Sequence, residues 1–98
     1  MSALAELSIF PLDKGESVSP FVARVLKIIE ASGIEYRLGP MGTCIEGEWD
    51  EVIRIAKECV DALMVDCNRV YMVLKVDYRA GRDNRMEGKI DSIKKLNR

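Results

Sequence analysis

The chain predicts an α+β sandwich built in the order β-α-β-β-α-β, with an extra helix at its C-terminus. Three observations carry this. Extended segments with period-2 apolar alternation stand near the start, in the middle and toward the end of the chain. Two long segments between them carry apolar residues at helical spacing. Glycine and proline punctuate the joints.

The first strand spans Ala3 to Phe10, with Ala3, Ala5, Leu7 and Ile9 on one face and Leu4, Glu6, Ser8 and Phe10 on the other. Pro11 ends it, and Gly15 allows a turn in the loop that follows. Ser19-Pro20 opens a helix over about Pro20 to Ser32, with Ser19 as its cap. Phe21, Val22, Val25, Ile28 and Ile29 make its apolar stripe, and Gly33 stands where a left-handed cap ends a helix. Ile34, Tyr36 and Leu38 alternate with Glu35 and Arg37 to give a second strand. Gly39-Pro40-Met41-Gly42 is a turn, and Thr43 to Glu46 a short third strand.

Gly47 and Glu48 lead into a second helix, with Asp50 as a cap. Its buried stripe reads Val52, Ile53, Ala56, Cys59, Val60, Leu63 and Met64. After a turn at Asp66 to Arg69, the stretch Val70 to Asp77 is apolar on both faces until Lys75, the pattern of a well-covered strand. Asn84 and Glu87 have the spacing of a capping box, ahead of a short helix marked by Met86, Ile90, Ile93 and Leu96. This order is the ferredoxin-like plan: two helices on one face of a four-stranded antiparallel sheet. No linker or low-complexity tract divides the chain, so residues 1–98 read as one such domain.

Composition narrows the function. The 98 residues carry 15 Lys+Arg against 16 Asp+Glu, without the basic excess that drives binding to phosphate backbones. The absence of histidine removes the commonest general base and the commonest transition-metal ligand. Cys44, Cys59 and Cys67 form no C-x-x-C, and no ligand cluster surrounds them, so neither a metal site nor a cofactor motif is expected. No signal peptide is read at the N-terminus, and no apolar run approaches the ~20 residues of a membrane span. A cytoplasmic location is the expectation, with no membrane or nucleic-acid partner.

By alternation, the sheet face away from the helices shows Glu6, Ser8, Phe10, Glu35, Arg37, Tyr71, Val73, Lys75 and Asp77. Phe10, Tyr71 and Val73 are too apolar to leave wet at the centre of a sheet, and the charges are too many for a monomer's core. A subunit interface, or a pocket shared between subunits, meets both demands. The alternative is that the C-terminal helix folds over this face with Met86, Ile90 and Ile93.

The runs ELSIFPLDKGESVSPFV, GPMGTCIEGEWDEV, NRVYMVLKVDYR and GKIDSI resemble the thiamine-binding protein family of small ferredoxin-like domains, long an uncharacterised family. The resemblance covers about Glu6 to Ile93. Its most specific parts are Met41, Gly42, Thr43, Glu46 and Gly47, then Arg69, Val70, Lys75, Asp77 and Arg79. It implies a cytoplasmic, non-catalytic binding domain that self-associates into dimers or tetramers through its sheets. The implied ligand is thiamine or its pyrimidine precursor.

Such a ligand calls for a carboxylate near the thiazolium cation, a soft or aromatic surface, and a few hydroxyl or backbone groups. The ligand-binding candidates are Ser8, Met41, Thr43, Glu46 and Lys75. Glu46 is the carboxylate choice, set against a surface glutamate beside a tight turn. Thr43 offers a hydroxyl to a pyrimidine nitrogen, and serves equally as a β-branched strand residue. Met41 offers an adaptable wall or a cover for the core. Ser8 lies on the open face, within reach of a ligand or a partner strand. If an anion binds, the first helix's N-terminus is one place for it. Trp49 reads as a hydrophobic staple or an interface plug.

Three further readings compete. A homo-oligomeric structural or regulatory module without a small ligand rests on the same open face. An RNA-binding sheet would stack bases on Tyr71 and Phe10, but the K/R-G-F/Y-G/A-F run of such sheets is missing. An enzyme would need a nucleophile, metal site or cofactor motif that the sequence lacks, so no catalytic residue is expected.

Overall fold

The computed structural model describes residues 2–80 and 85–97. The elements are β1 (Ser2–Pro11), α1 (Ser19–Ser32), β2 (Glu35–Leu38), β3 (Thr43–Gly47), α2 (Trp49–Met64), β4 (Val70–Arg79) and α3 (Arg85–Leu96). The strands form one sheet in the order β2-β3-β1-β4, every neighbour antiparallel. This is the ferredoxin-like sandwich that the element order predicts.

Register explains which residues are buried. Leu7 lies opposite Thr43 on β3 and Leu74 on β4, and Ala5 opposite Ile45 and Val76. These residues point toward the helices, where Val25 and Ile29 of α1 and Val52, Ile55, Cys59 and Leu63 of α2 complete the core. The small Ala3 and Ala5 at the centre of the sheet let the helices sit close. Burial pushes the Cys59 thiol up to about 11, so it remains a small apolar filler.

Several boundaries differ from the sequence reading. The cap of α1 is Val18, which makes no side-chain cap bond, and Ser19 is already helical. The Val18 carbonyl takes the N–H groups of Phe21 and Val22 at 3.0 and 3.1 Å, and Pro20 has no N–H. Little is left there for a serine hydroxyl to cap or for an anion to occupy. The C-terminal end is as expected: Gly33 adopts φ 77°, a left-handed conformation that favours glycine. In α2 the cap position is Glu48, and Asp50 and Glu51 lie in the first turn, where negative charge complements the helix dipole. The buried stripe of α2 takes in Ile55, while Ile53 and Met64 are exposed. The centre of the stripe is kept, and a small rotation brings Ile55 rather than Ile53 to its buried margin.

β4 runs two residues further than the alternation suggests, and it is not well covered: Tyr71, Met72 and Val73 are all exposed. The reason is topological. β4 is an edge strand, so α2 shields it only in part on one face and no other strand flanks it. Two clamps hold its entry. The Asp13 carboxylate accepts the N–H groups of Asn68 and Arg69 at 2.7 and 3.2 Å, which holds its pKa below the usual carboxylate range. Arg24 makes a two-pronged ion pair with Asp66, tying α1 to the turn after α2.

Candidate functional site

β3 begins at Thr43, opposite Leu7. Beyond that point β1 continues to Pro11 with β4 on one side and no described strand on the other. The first turns of α1 and the β2–β3 turn rim the gap. Together they enclose a groove of about 260 Å³. Leu7, Ser8, Ile9 and Phe10 form its floor; Val18, Val22 and Val25 form one wall; Leu38 to Thr43 form the other. The turn is closed by the Gly39 N–H donating to the Gly42 carbonyl at 2.9 Å. A Cβ on Gly42 would stand 3.1 Å from Glu6 Cγ and 3.2 Å from the Leu7 carbonyl, so glycine lets the turn approach β1 this closely.

The groove's chemistry is simple. Its walls are aliphatic, and none of the described residues lining it is charged. Its polar side chains are those of Thr43, on the helix-facing side with Leu7, and Ser8, on the opposite face at the edge of β1; neither makes a hydrogen bond to another described residue. Thr43 is only 7 % exposed. A hydroxyl in an apolar groove with no protein partner favours a ligand that supplies one. Met41, on the rim, is 84 % exposed.

Three sequence candidates therefore meet here: Ser8, Met41 and Thr43. Glu46 and Lys75 do not join them. Glu46 faces the open side of the sheet and is only 7 % exposed. Its Oε1 accepts the N–H of Met86 at 3.2 Å, at the start of α3, where a carboxylate also complements the helix dipole. The capping-box expectation involved Asn84, which lies outside the described residues. Lys75 lies opposite Glu6 on the same face, Nζ to Oε1 3.0 Å. The two line a second, shallower depression of about 300 Å³ with Leu4, Cys44 and Asp77. Cys44 thus faces this depression, and desolvation raises its thiol pKa, with the Glu6 charge adding to the shift.

α3 reaches the open face by its N-terminal part, Met86 to Lys89. Met86 is buried, Glu87 pairs with Arg37 at 3.6 Å and Lys89 with Asp77 at 3.0 Å, while Ile90, Ile93 and Leu96 are exposed. The expectation that Ile90 and Ile93 cover the face is not met. Phe10 and Tyr71 stack across the uncovered end, ring centroids 5.8 Å apart. Glu46→Ala is expected to release this turn: the Met86 amide would exchange with solvent much faster, read by hydrogen exchange, while the β1 amides stay protected.

The sequence reading missed Val18, Leu38, Gly39 and Pro40 as groove residues. The Gly-Pro-Met-Gly turn was the available signal, since a tight turn beside an unpaired stretch of strand leaves space.

Fold and groove define a ferredoxin-like α+β domain with a small, mostly apolar cleft at one end of its sheet. A family profile described as "Thiamine-binding protein" matches residues 5–94. The UPF0045 protein MJ1052 of Methanocaldococcus jannaschii is 36% identical over 93 residues, which cover 95% of this chain and 93% of the relative. A crystal structure of MJ1052 superposes with TM-score 0.87, covering 94% of this chain and 95% of that one. A Thermotoga maritima structure, described as that of a candidate thiamine biosynthesis/salvage protein, superposes with TM-score 0.84 at 25% identity, over 95% of this chain and 99% of that one. The chain belongs to the thiamine-binding protein family. Among the described residues, no helix is long and apolar enough to cross a membrane.

Proposed function

We propose that this protein binds thiamine or a related pyrimidine or heteroaromatic compound without transforming it, in the groove between β1, α1 and the β2–β3 turn. The observation that carries the reading is the pair of unengaged hydroxyls, Ser8 and Thr43, set in aliphatic walls. A flat aminopyrimidine presents donors and acceptors at its edge and apolar faces to both walls, which suits this lining. None of the described residues lining the groove is charged, so it favours the neutral ring; a thiazolium end would remain at the mouth beside Met41. Glu46 then serves the ligand indirectly, by anchoring α3, and Lys75 belongs to the sheet face.

Self-association through the open face remains part of this proposal, because Phe10 contributes to both that face and the groove. A second reading is a cytoplasmic assembly module with no small ligand, favoured by the exposed Tyr71 and Val73. Calorimetric titration of the purified chain with thiamine, and separately with its aminopyrimidine precursor, distinguishes the two. Saturable heat with either compound supports the binding protein. Flat titrations with both, from an oligomeric sample, favour the assembly module.

A further inference from the structure

In a strand flanked on both sides, successive residues turn their N–H and C=O groups to opposite neighbours. Two contacts fix the phase of β1. The Leu12 N–H, one residue past the strand's end, donates to the Arg69 carbonyl at 2.9 Å, on the β4 side. Counting back by twos, Phe10 and Ser8 also face β4, opposite Tyr71 and Val73. The odd-numbered residues face the other way. The Leu7 carbonyl lies there beside the β2–β3 turn, 3.2 Å from where a Cβ on Gly42 would stand.

Leu7 meets Thr43, the first residue of β3. Ile9 is the next residue to face that side, and the β3 register has already ended. The turn does not take over from β3, since the Gly42 carbonyl accepts the Gly39 N–H at 2.9 Å. Among the described residues, no hydrogen bond reaches the Ile9 main chain from this side. Pro11, the following residue in the same phase, has no N–H, and a proline in a strand belongs where no ladder bond is needed. Ile9 is therefore the last residue of β1 with both a donor and an acceptor turned into the groove. Its side chain is buried in the core, which holds this stretch of backbone in place. Main-chain polar groups set among apolar walls favour a partner.

We infer that the groove recognises its ligand through the main-chain N–H and C=O of Ile9, and that the ligand class is a heteroaromatic amidine: a ring nitrogen beside an exocyclic amino group. In an extended residue the N–H and C=O lie side by side on one edge. The ring nitrogen accepts the Ile9 N–H, and the amino group donates to the Ile9 carbonyl. These two bonds repeat what one more residue of β3 would make, so the ring lies in the plane of the sheet. Val22 and Val25 of α1 cover the face of the ring on the helix side, where the Thr43 hydroxyl also stands, and Ser8 stands on the opposite side. Sheet edges accept extended peptides by the same main-chain pairing, but here the β2–β3 turn closes the gap to about the length of a ring. A ring without the amino group leaves the Ile9 carbonyl unpaired, and a ring without the nitrogen leaves the N–H unpaired. This recognition rests on the ligand reading proposed above and narrows it, because the hydroxyls accept many substituent patterns and the Ile9 edge accepts one.

The test uses the full chain, isotope-labelled on nitrogen, with labelled 4-amino-2-methylpyrimidine as the probe, followed by NMR and by calorimetry. In the free chain, the Ile9 amide should exchange with solvent roughly tenfold faster than the amides of Ser8 and Phe10, which are bonded to β4. On saturation it should slow by about tenfold, as a protecting hydrogen bond forms. A scalar coupling should then appear between the Ile9 amide nitrogen and the ring nitrogen, a signal that only a hydrogen bond between them transmits. The comparison compound 2-methylpyrimidine, which lacks the amino group, should bind about tenfold more weakly. Saturable heat from the aminopyrimidine with an unmoved Ile9 amide would overturn the Ile9 recognition and leave the ligand reading standing. Flat titrations would overturn both. An Ile9 amide as protected as that of Ser8 in the free chain would also overturn it, because the donor would already have a partner.

Discussion

Replacing both groove hydroxyls, Ser8→Ala with Thr43→Val, is expected to weaken binding of the aminopyrimidine ligand about 30-fold. Each buried hydrogen bond contributes on the order of 1 kcal/mol, and two lost together amount to about 2 kcal/mol. Both substitutions preserve side-chain volume closely enough to leave the groove's shape intact, and neither hydroxyl supports the fold through a hydrogen bond to a described residue. Thermal stability should therefore hold. Titration calorimetry on the double variant and the parent, side by side, reads the difference. Unchanged affinity would place the ligand elsewhere, with the depression around Glu6 and Lys75 the next site to probe.

The second large effect concerns the core. Ile55→Ala should cost about 3 kcal/mol, because Ile55 is fully buried between α2 and the sheet and its removal leaves a cavity. For a chain of this size that corresponds to a fall in Tm of roughly 15 °C, measurable by circular dichroism. Ile53→Ala, two residues earlier and 41 % exposed, should cost about 1 kcal/mol or less. The pair is informative because helical spacing alone assigns Ile53 to the core and passes over Ile55. If Ile53→Ala proved the more damaging to a monomer, the orientation of α2 would be wrong.

The contrast between Ile53 and Ile55 shows the kind of information that periodicity lacks. Val52, Ala56, Cys59 and Leu63 define the helical stripe in the sequence and are buried in the structure. The residues at its margins fall to one side or the other by a rotation that only the packed sheet imposes. Strands behave differently. With a period of two, a side chain is on one face or the other, so Leu7, Ile9, Leu74 and Val76 are assigned to the helix side, and Glu6, Ser8 and Lys75 to the open side, without reference to the fold.

The site was legible only in part. Ser8, Met41 and Thr43 are far apart along the chain, yet each carried a local sign: a polar residue in an apolar strand, or membership of the Met41-Gly42-Thr43 turn motif. The groove itself had none, because it is the space left where β3 stops short of the end of β1. Glu46 had a local sign as well, a carboxylate after a tight turn. Its burial comes from α3, which begins 39 residues later in the chain and presents the Met86 amide to it.

What the amino-acid sequence determined by itself was the order of elements, the face on which each strand residue lies, the left-handed stop at Gly33 and the family. These follow from local rules, steric and periodic, that act over a few residues at a time. The tertiary structure alone decided that β4 is an exposed edge, that α3 rests on the sheet by its N-terminal part, that Glu46 anchors it, and that two hydroxyls border one apolar groove. Each of these depends on which distant segments come to lie side by side, and no short-range pattern encodes that, because the contacts form only when the whole sheet closes.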